Sequence, residues 1–495
     1  MAGSPKSIDS LNRRDVLKYG LYSGLAAGLS PASFLPGSGS AATAKRPNII
    51  FILIDTLRAD RMGLYGYQRN TTPAIDAIAD EAAIFDNAIA PAPWTQPSMA
   101  SIFCSRFPSV HKVTNFMLAY NMRWGKAKRM SVFGDSFVTI AEMLGKQGYD
   151  TAGFVGNFLV SKYYGFGQGF DFYSDMNYRN QIQGATSGDV LNRHLLQWLG
   201  RRESQKPLFL YIHYMDAHGP YYARPEFYQP FFKQVAQMQN KRKLSAPEKG
   251  RLGYLATGKA APIIARYKEL TDYQEFWSAF YDAGVREQDQ HISDLIVGLK
   301  NMDLWDDSYI ALAADHGEEL SEHGLWSHGK TLYQTELHVP FILRWPGRLP
   351  SKRIVPTVQL IDLMPTLIEQ LQLEPVSGMQ GRSLAADIAG KDSGKPVSTF
   401  SEAVKFGPNT IAVSQGGWKL IAKQGRKTSE LYNIADDPYE QKNLFQQNSI
   451  KVKQLGMILT DQITINKNLA SKTIPEQIQI TPQEYERLKS LGYVK

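Results

Sequence analysis

Asn48-Ile49-Ile50-Phe51-Ile52-Leu53-Ile54-Asp55 is a continuous apolar run that ends on an acid. A strand with one solvated face would alternate apolar and polar residues. This one does not, so it reads as a strand buried on both faces, the kind found in a parallel sheet covered by helices. Shorter runs of the same texture recur. Residues 151–155 lead into Gly156-Asn157, 207–212 into His213, 308–314 into Asp315-His316, and 339–343 into Arg344. Helical patterns lie between them. Within 281–301, Val285, Ile292, Leu295, Ile296 and Leu299 fall on one helical face. Strands alternating with helices predict an α/β fold. Ligands in such sheets sit beyond the carboxyl ends of the strands. Here those ends carry Asp55, Asn157, His213 to His218, and Asp315-His316.

Composition narrows the class. Of 495 residues, 43% are hydrophobic and 21% charged, the usage of a globular chain rather than a disordered one. No apolar run reaches the roughly 18 residues of a membrane span. The single cysteine, Cys104, excludes an internal disulfide, a CxxC redox pair and a Cys-type zinc site. The net charge of +8 comes from scattered Lys and Arg. It lacks the dense basic stripe of a nucleic-acid binder, so no nucleic-acid partner is expected, and it suits a small anionic substrate.

The first 44 residues read as an address. Asn12-Arg13-Arg14-Asp15-Val16-Leu17-Lys18 precedes a mild apolar stretch, then Gly, Ser and Pro, then Ala42-Thr43-Ala44. This resembles a twin-arginine signal peptide. It predicts export by the twin-arginine machinery, cleavage near Ala44, a periplasmic or secreted location and no stable membrane anchor. Residues 221–280 are polar and lack strand signals, so they read as a helical insertion. After residue 385 the texture changes. Runs at 409–414, 418–422 and 430–434, separated by glycine-containing turns, predict a small antiparallel sheet, followed by a helical tail. Gly165-Phe166-Gly167-Gln168-Gly169 has the wrong spacing for a phosphate loop and reads as a turn.

Two stretches carry chemistry. In 315–330, Asp315, His316, His323, His328 and Lys330 follow directly on an apolar strand. Asp and His there suit a divalent cation that polarises a transferring oxyanion, with Asp55 as a third ligand. His328 and Lys330 suit leaving-group protonation and charge neutralisation. A buried acid after a strand is costly unless something compensates it. In the second stretch a proline-rich approach, 90–97, delivers Thr95 to a predicted helix start. Two readings stay open for Thr95: a helix cap, or a hydroxyl nucleophile activated by a metal and a helix N-terminus.

The chain from residue 46 onward resembles the sulfatase family of the alkaline-phosphatase superfamily. The family's nucleophile motif is matched by Thr95-Gln96-Pro97-Ser98-Met99, then Ile102-Phe103-Cys104-Ser105-Arg106-Phe107-Pro108 and His111-Lys112. Residues 47–55 and Asp315-His316-Gly317 match its metal-ligand strands. Residues 214–221 match its substrate-contacting His segment, and His328-Gly329-Lys330 its active-site lysine segment. Gly381-Arg382-Ser383-Leu384 and Glu430-Leu431-Tyr432 are further signatures. The resemblance implies a large mixed, mostly parallel sheet flanked by helices over 45–385, and a C-terminal subdomain over 386–495 with a small antiparallel sheet. It implies Asp55, Thr95, Asp315 and His316 as metal ligands. Asn115, His218 and Lys330 would contact substrate, with Thr95, His218, His328 and Lys330 catalytic. A second metal on Asp216, His218 and His328 stays open.

The departures are as informative. Sulfatases convert a motif Cys or Ser to formylglycine; Thr95 stands there, so no formylglycine is expected. Met99 replaces the motif Arg, and Thr56 the second N-terminal acid. A histidine ligand favours manganese or zinc over calcium. The resulting expectation is a metal-dependent hydrolase of phosphodiester, phosphonate or phosphate esters. A sulfuric ester hydrolase without formylglycine, and a non-catalytic binding protein on the same fold, are the alternatives.

Overall fold

Every residue of the first strand, Ile49–Ile54 (β1), is buried, as a run without polar alternation requires. The computed structural model describes residues 46–114, 116–117, 129–175, 186–219, 221, 223–237, 273–391, 396–406, 409–423, 429–471, 473–482 and 484. The address segment 1–44, Asn115, most of the insertion (238–272) and the end of the chain lie outside them.

β1 is near the centre of an eight-stranded sheet. The other strands, in chain order, are Ala82–Phe85 (β2), Asp150–Val155 (β3), Phe172–Asp175 (β4), Leu208–Tyr214 (β5), Tyr309–Ala313 (β6), Phe341–Arg344 (β7) and Lys352–Ile354 (β8). Their order across the sheet is β8-β2-β7-β6-β1-β5-β3-β4. β1 runs parallel to β5 and β6, and β3 runs parallel to β4 and β5. β7 is the reversed strand, antiparallel to both β6 and β2. The sheet is therefore mixed and mostly parallel, and helices flank it.

The apolar run at 339–343 divides between two sheets. His338–Val339 pairs with Ala88–Ile89 in a small three-stranded sheet, and Phe341–Arg344 enters the main one. Pro340 stands at the break, where a residue with no N–H cannot extend a ladder. β2, β4 and β8 are short and were not distinguishable in the sequence.

The register sets the level of the site. Leu53 of β1 lies opposite His213 of β5 and Ala313 of β6, and Val155 of β3 lies opposite His213. Two residues beyond that row are Asp55, Asn157 and Asp315, so all three leave the sheet at the same height.

The helix Thr95–Cys104 (α1) has all ten residues buried. Gly188–Leu199 (α2), Pro225–Gln237 (α3) and the 28-residue Tyr273–Lys300 (α4) follow. Both described ends of the predicted insertion are thus helical. On α4 the predicted face is buried at Val285, Ile292, Leu295 and Leu299. The C-terminal sheet is a four-stranded antiparallel meander, Ser398–Glu402 (β9), Thr410–Gln415 (β10), Trp418–Lys423 (β11) and Glu430–Asn433 (β12). Gly416 (φ 58°) and Gly417 (φ 78°) turn the chain between β10 and β11. A two-residue hairpin loop with positive φ at both positions needs glycine-like residues. Ser449–Ala470 (α5) packs Leu455 and Leu459 on this sheet against Val413, Leu420 and Leu431. β9 also docks on the main body: Glu402 N–H donates to Pro91 O at 3.0 Å, and Ser401 Oγ to Ala90 O at 2.7 Å.

α1 is tied down by His111, which is 3% exposed. Val113 N–H donates to His111 Nδ1 at 3.1 Å, so Nε2 carries the proton toward Ser101 Oγ at 2.9 Å. The native ring is neutral. Burial, then the charges of Lys112 and Arg106, push its pKa down to about 3. An unfolded histidine titrates near 6.5. Its contribution to stability is therefore complete above pH 6.5 and is lost as the pH falls toward 3, by up to about 1.4 kcal/mol per pH unit. Urea unfolding of wild type and His111→Gln across that window should show a shallower pH slope in the variant.

Candidate active site

Asp55 is fully buried just past β1, and its two oxygens have different surroundings. Oδ2 accepts from Asn157 Nδ2 at 2.5 Å and lies 3.1 Å from His213 Nε2. The Tyr211 hydroxyl is 2.7 Å from His213 Nδ1. With Nε2–H donating to the acid, Nδ1 accepts from that hydroxyl. Oδ1 of Asp55 has no hydrogen-bond partner.

Asp315, equally buried, repeats the arrangement. Oδ1 accepts the backbone N–H of Thr56 at 3.3 Å and of His316 at 3.0 Å, and Oδ2 has no partner. His316 Nδ1 lies 2.9 Å from Gly317 O, so Nδ1 carries the proton and Nε2 presents a lone pair. That nitrogen is 3.6 Å from Asp55 Oδ1 and 3.4 Å from Asp315 Oδ2. Three buried ligand atoms thus converge, within 4.8 Å of one another.

Burial alone would raise the Asp55 carboxyl. The His213 hydrogen bond and the charges of His218 and His316 outweigh it and hold it well below the usual carboxylate range. Asp315 moves the other way, pushed far up by burial and by the charge of Asp55. Two buried acids this close do not both ionise unaided. A divalent cation removes the conflict, and neutral His316, whose pKa burial lowers, is in the ligating form. The donor set fits a metal. Among the described residues this is the one such group found.

Thr95 is the first residue of α1. Trp94 holds the cap position, and no side chain caps the helix. The Thr95 hydroxyl instead faces the acid–histidine cluster, 3.3 Å from His316 Nε2 and 3.5 Å from Asn157 Nδ2. Ser98 Oγ pins the same helix turn to Asp315 O at 2.6 Å. Thr56, in the second acid's place, adopts φ 61°. That is a strained conformation for a β-branched residue, and it aims the Thr56 N–H at Asp315.

His328 packs beside His316 and His218, with ring centroids 4.4 and 5.0 Å away. Its Nδ1 is 3.4 Å from both oxygens of Glu318. Burial lowers the pKa of both rings, His218 to about 4. Arg58 holds this loop, donating to Glu318 O at 2.8 Å and to Glu322 at 2.7 Å. Lys330 is half-buried, and its Nζ donates to Trp326 O. Asn115 lies outside the described residues. The open second-metal set does not assemble: Asp216 accepts from Gly188 N–H at 3.0 Å and faces His291 at 3.5 Å.

Sequence reasoning missed the parts played by Asn157, His213, Glu318 and Lys405. The first two were visible as polar strand ends, and only the register shows that they hold one oxygen of Asp55. Glu318 lies inside a motif rich in acids. Lys405 had no signal, because it reaches the site from the C-terminal sheet.

The fold that carries this cluster at the carboxyl ends of its sheet is shared with solved structures of known hydrolases. A protein solved in complex with its substrate D-glucosamine-2-N,6-O-disulfate superposes with a TM-score of 0.69 at 21% identity, covering 86% of this chain and 99% of that one. The phosphonate monoester hydrolase of Agrobacterium radiobacter gives 0.66 at 18%, covering 88% and 100%. The sulfatase family matches residues 47–373, and the chain belongs to that family. A second family, N-sulphoglucosamine sulphohydrolase, C-terminal, matches residues 321–468. The choline-sulfatase of Rhizobium meliloti (strain 1021) is 25% identical over 452 residues, covering 81% of this chain and 83% of that protein. Among the described residues no helix is long and apolar enough to cross a membrane.

Asn157→Ala leaves Oδ2 of Asp55 held by His213 alone. The variant is expected to bind manganese or zinc about 10- to 100-fold more weakly than wild type, measured by chelator competition.

Proposed function

We propose that this chain hydrolyses small anionic esters with Thr95 as its nucleophile, and that phosphonate, phosphodiester or phosphate esters are its substrates. The observation that carries the reading is the Thr95 hydroxyl, 3.3 Å from His316 Nε2 and turned into the cluster of Asp55, Asp315 and His316 instead of capping its helix. A divalent metal held by Asp55, Asp315, His316 and the Thr95 oxygen supplies a lower hydroxyl pKa and charge stabilisation. The histidine ligand favours manganese or zinc.

The chain's own residues do the rest. Thr95 Oγ forms a bond to phosphorus as the bond to the leaving oxygen breaks. The Thr95 hydroxyl proton passes by way of His218 or His328, whose neutral rings lie together, to the departing oxygen. Glu318 faces His328 Nδ1 and fixes which nitrogen points inward. Lys330 stabilises developing charge, and Asn115 contacts the non-bridging oxygens. Water then attacks phosphorus, its proton passes by the same rings to the Thr95 oxygen, and the bond from that oxygen to phosphorus breaks. We further read the first 44 residues as a twin-arginine signal that delivers the mature chain to the periplasm or beyond.

Sulfate is the second reading. The choline-sulfatase likeness favours it, while Met99 and Thr56, standing for an arginine and an acid, favour phosphorus.

Turnover of matched p-nitrophenyl sulfate, phosphate, phosphodiester and phenylphosphonate should decide. Cleavage of a phosphorus ester is expected, and Thr95→Ala should lower kcat about a thousandfold or more. Sulfate cleavage as the main activity would overturn the substrate choice. Full activity in Thr95→Ala would overturn the nucleophile.

A further inference from the structure

The segment that follows β9 is fastened to the site from two sides. Trp94 Nε1 donates to Ala403 O at 2.7 Å, and Trp94 immediately precedes Thr95. The backbone N–H groups of Lys405 and Phe406 both donate to Gly329 O at 2.8 Å, and Gly329 immediately follows His328. Gly329 has φ 77° and lies under the Lys405 stem. A Cβ there would come within 3.0 Å of Lys405 Cβ and 3.5 Å of its Cδ. The stem is thus laid across the glycine between His328 and Lys330. Lys405 Nζ is 5.3 Å from the Trp94 ring centroid and 4.9 Å from that of Phe406.

The two lysines around the site point to different places. Lys330 Nζ is engaged by Trp326 O, and its charge is felt at His328 and Glu318. The charge of Lys405 is felt at His316 and His328. The group being transferred has to lie against Thr95, Asp55 and Asp315, all fully buried. Phe406 is 41% exposed. The strap therefore leads from the buried floor to solvent, and what lies along it is the organic half of the ester. Burial pushes the Lys405 amine well below the usual lysine range, so an anion brought beside it between the two rings restores its charge, which suits a ring that bears an anion.

We infer that Lys405, framed by Trp94 and Phe406, forms a leaving-group subsite that selects alcohols or phenols carrying a second anionic substituent, such as a carboxylate or a further sulfate. The inference rests on the Thr95-centred reading of the site. It places substrate selection in the C-terminal sheet, more than 300 residues from the nucleophile in sequence.

Binding without turnover separates the two. In a Thr95→Ala background, calorimetry would compare 4-nitrophenyl phenylphosphonate with its 2-carboxy-4-nitrophenyl counterpart, with and without Lys405→Met. Methionine keeps the apolar stem over Gly329 and removes the charge. The carboxylated ester should lose about tenfold more affinity than the plain one, as expected for one charge-assisted contact. Lys405→Arg should restore most of the difference. An equal loss for both esters would place Lys405 on the transferring group and overturn the subsite. No loss for either, or binding of neither ester to the Thr95→Ala protein, would overturn it as well. Lys405-dependent binding in a protein whose wild type turns over no ester would support the subsite and overturn the hydrolytic reading.

Discussion

The structure is organised around an electrostatic conflict. Asp55 Oδ1, Asp315 Oδ2 and His316 Nε2 are acceptors, fully buried, and directed at one another across 3.4 to 3.6 Å. Nothing in the apolar sheet beneath them relieves that repulsion. Each remaining polar atom of the three residues is fixed: Asp55 Oδ2 by Asn157 and His213, Asp315 Oδ1 by two backbone N–H groups, His316 Nδ1 by Gly317 O. The spare lone pairs are thereby left with a single direction. The conflict is relieved by a proton on Asp315, whose carboxyl burial and Asp55 push far up, or by a positive charge at the centre.

Parallel strands are well suited to the task. Their carboxyl ends finish together, so side chains two residues past a shared row meet at one height. The register of β1, β3 and β6 does this for Asp55, Asn157 and Asp315. What the strands cannot reach is supplied by other elements. Thr95 comes from a helix start, and His328 from a loop that Arg58 clamps. The strain at Thr56 belongs to the same design. A left-handed turn directly after the first acid turns the Thr56 N–H toward Asp315 Oδ1.

The sheet could be read from residues 48–55 because continuous hydrophobicity has one structural meaning when flanked by helical patterns. Asp55, Asp315 and His316 were legible for a related reason: a charged residue directly after a buried strand has to be compensated. Short strands such as β4 and β8 carried no comparable signal, since four or three residues do not make a pattern. The division of 339–343 between two sheets was hidden in one apolar run and is marked only by Pro340. Thr95 stayed open between cap and nucleophile because both need a hydroxyl at a helix start. The distinction lies in where the hydroxyl points, and that depends on residues over 200 positions away. Lys405 was invisible for the same reason, as its neighbours are close only in space.

That separation also bears on how the molecule comes into being. The bond from Trp94 to Ala403 closes 309 residues of chain, and that from Thr56 to Asp315 closes 259. Contacts of such span are costly to close and form late. During synthesis the first strand and the helix that starts at Thr95 emerge long before Asp315 exists, so a growing chain holds the acid–histidine cluster only in part. The cluster of Asp55, Asp315 and His316 is thus complete only when the whole sheet is, and the time the chain needs to finish folding is also the time before these three residues meet.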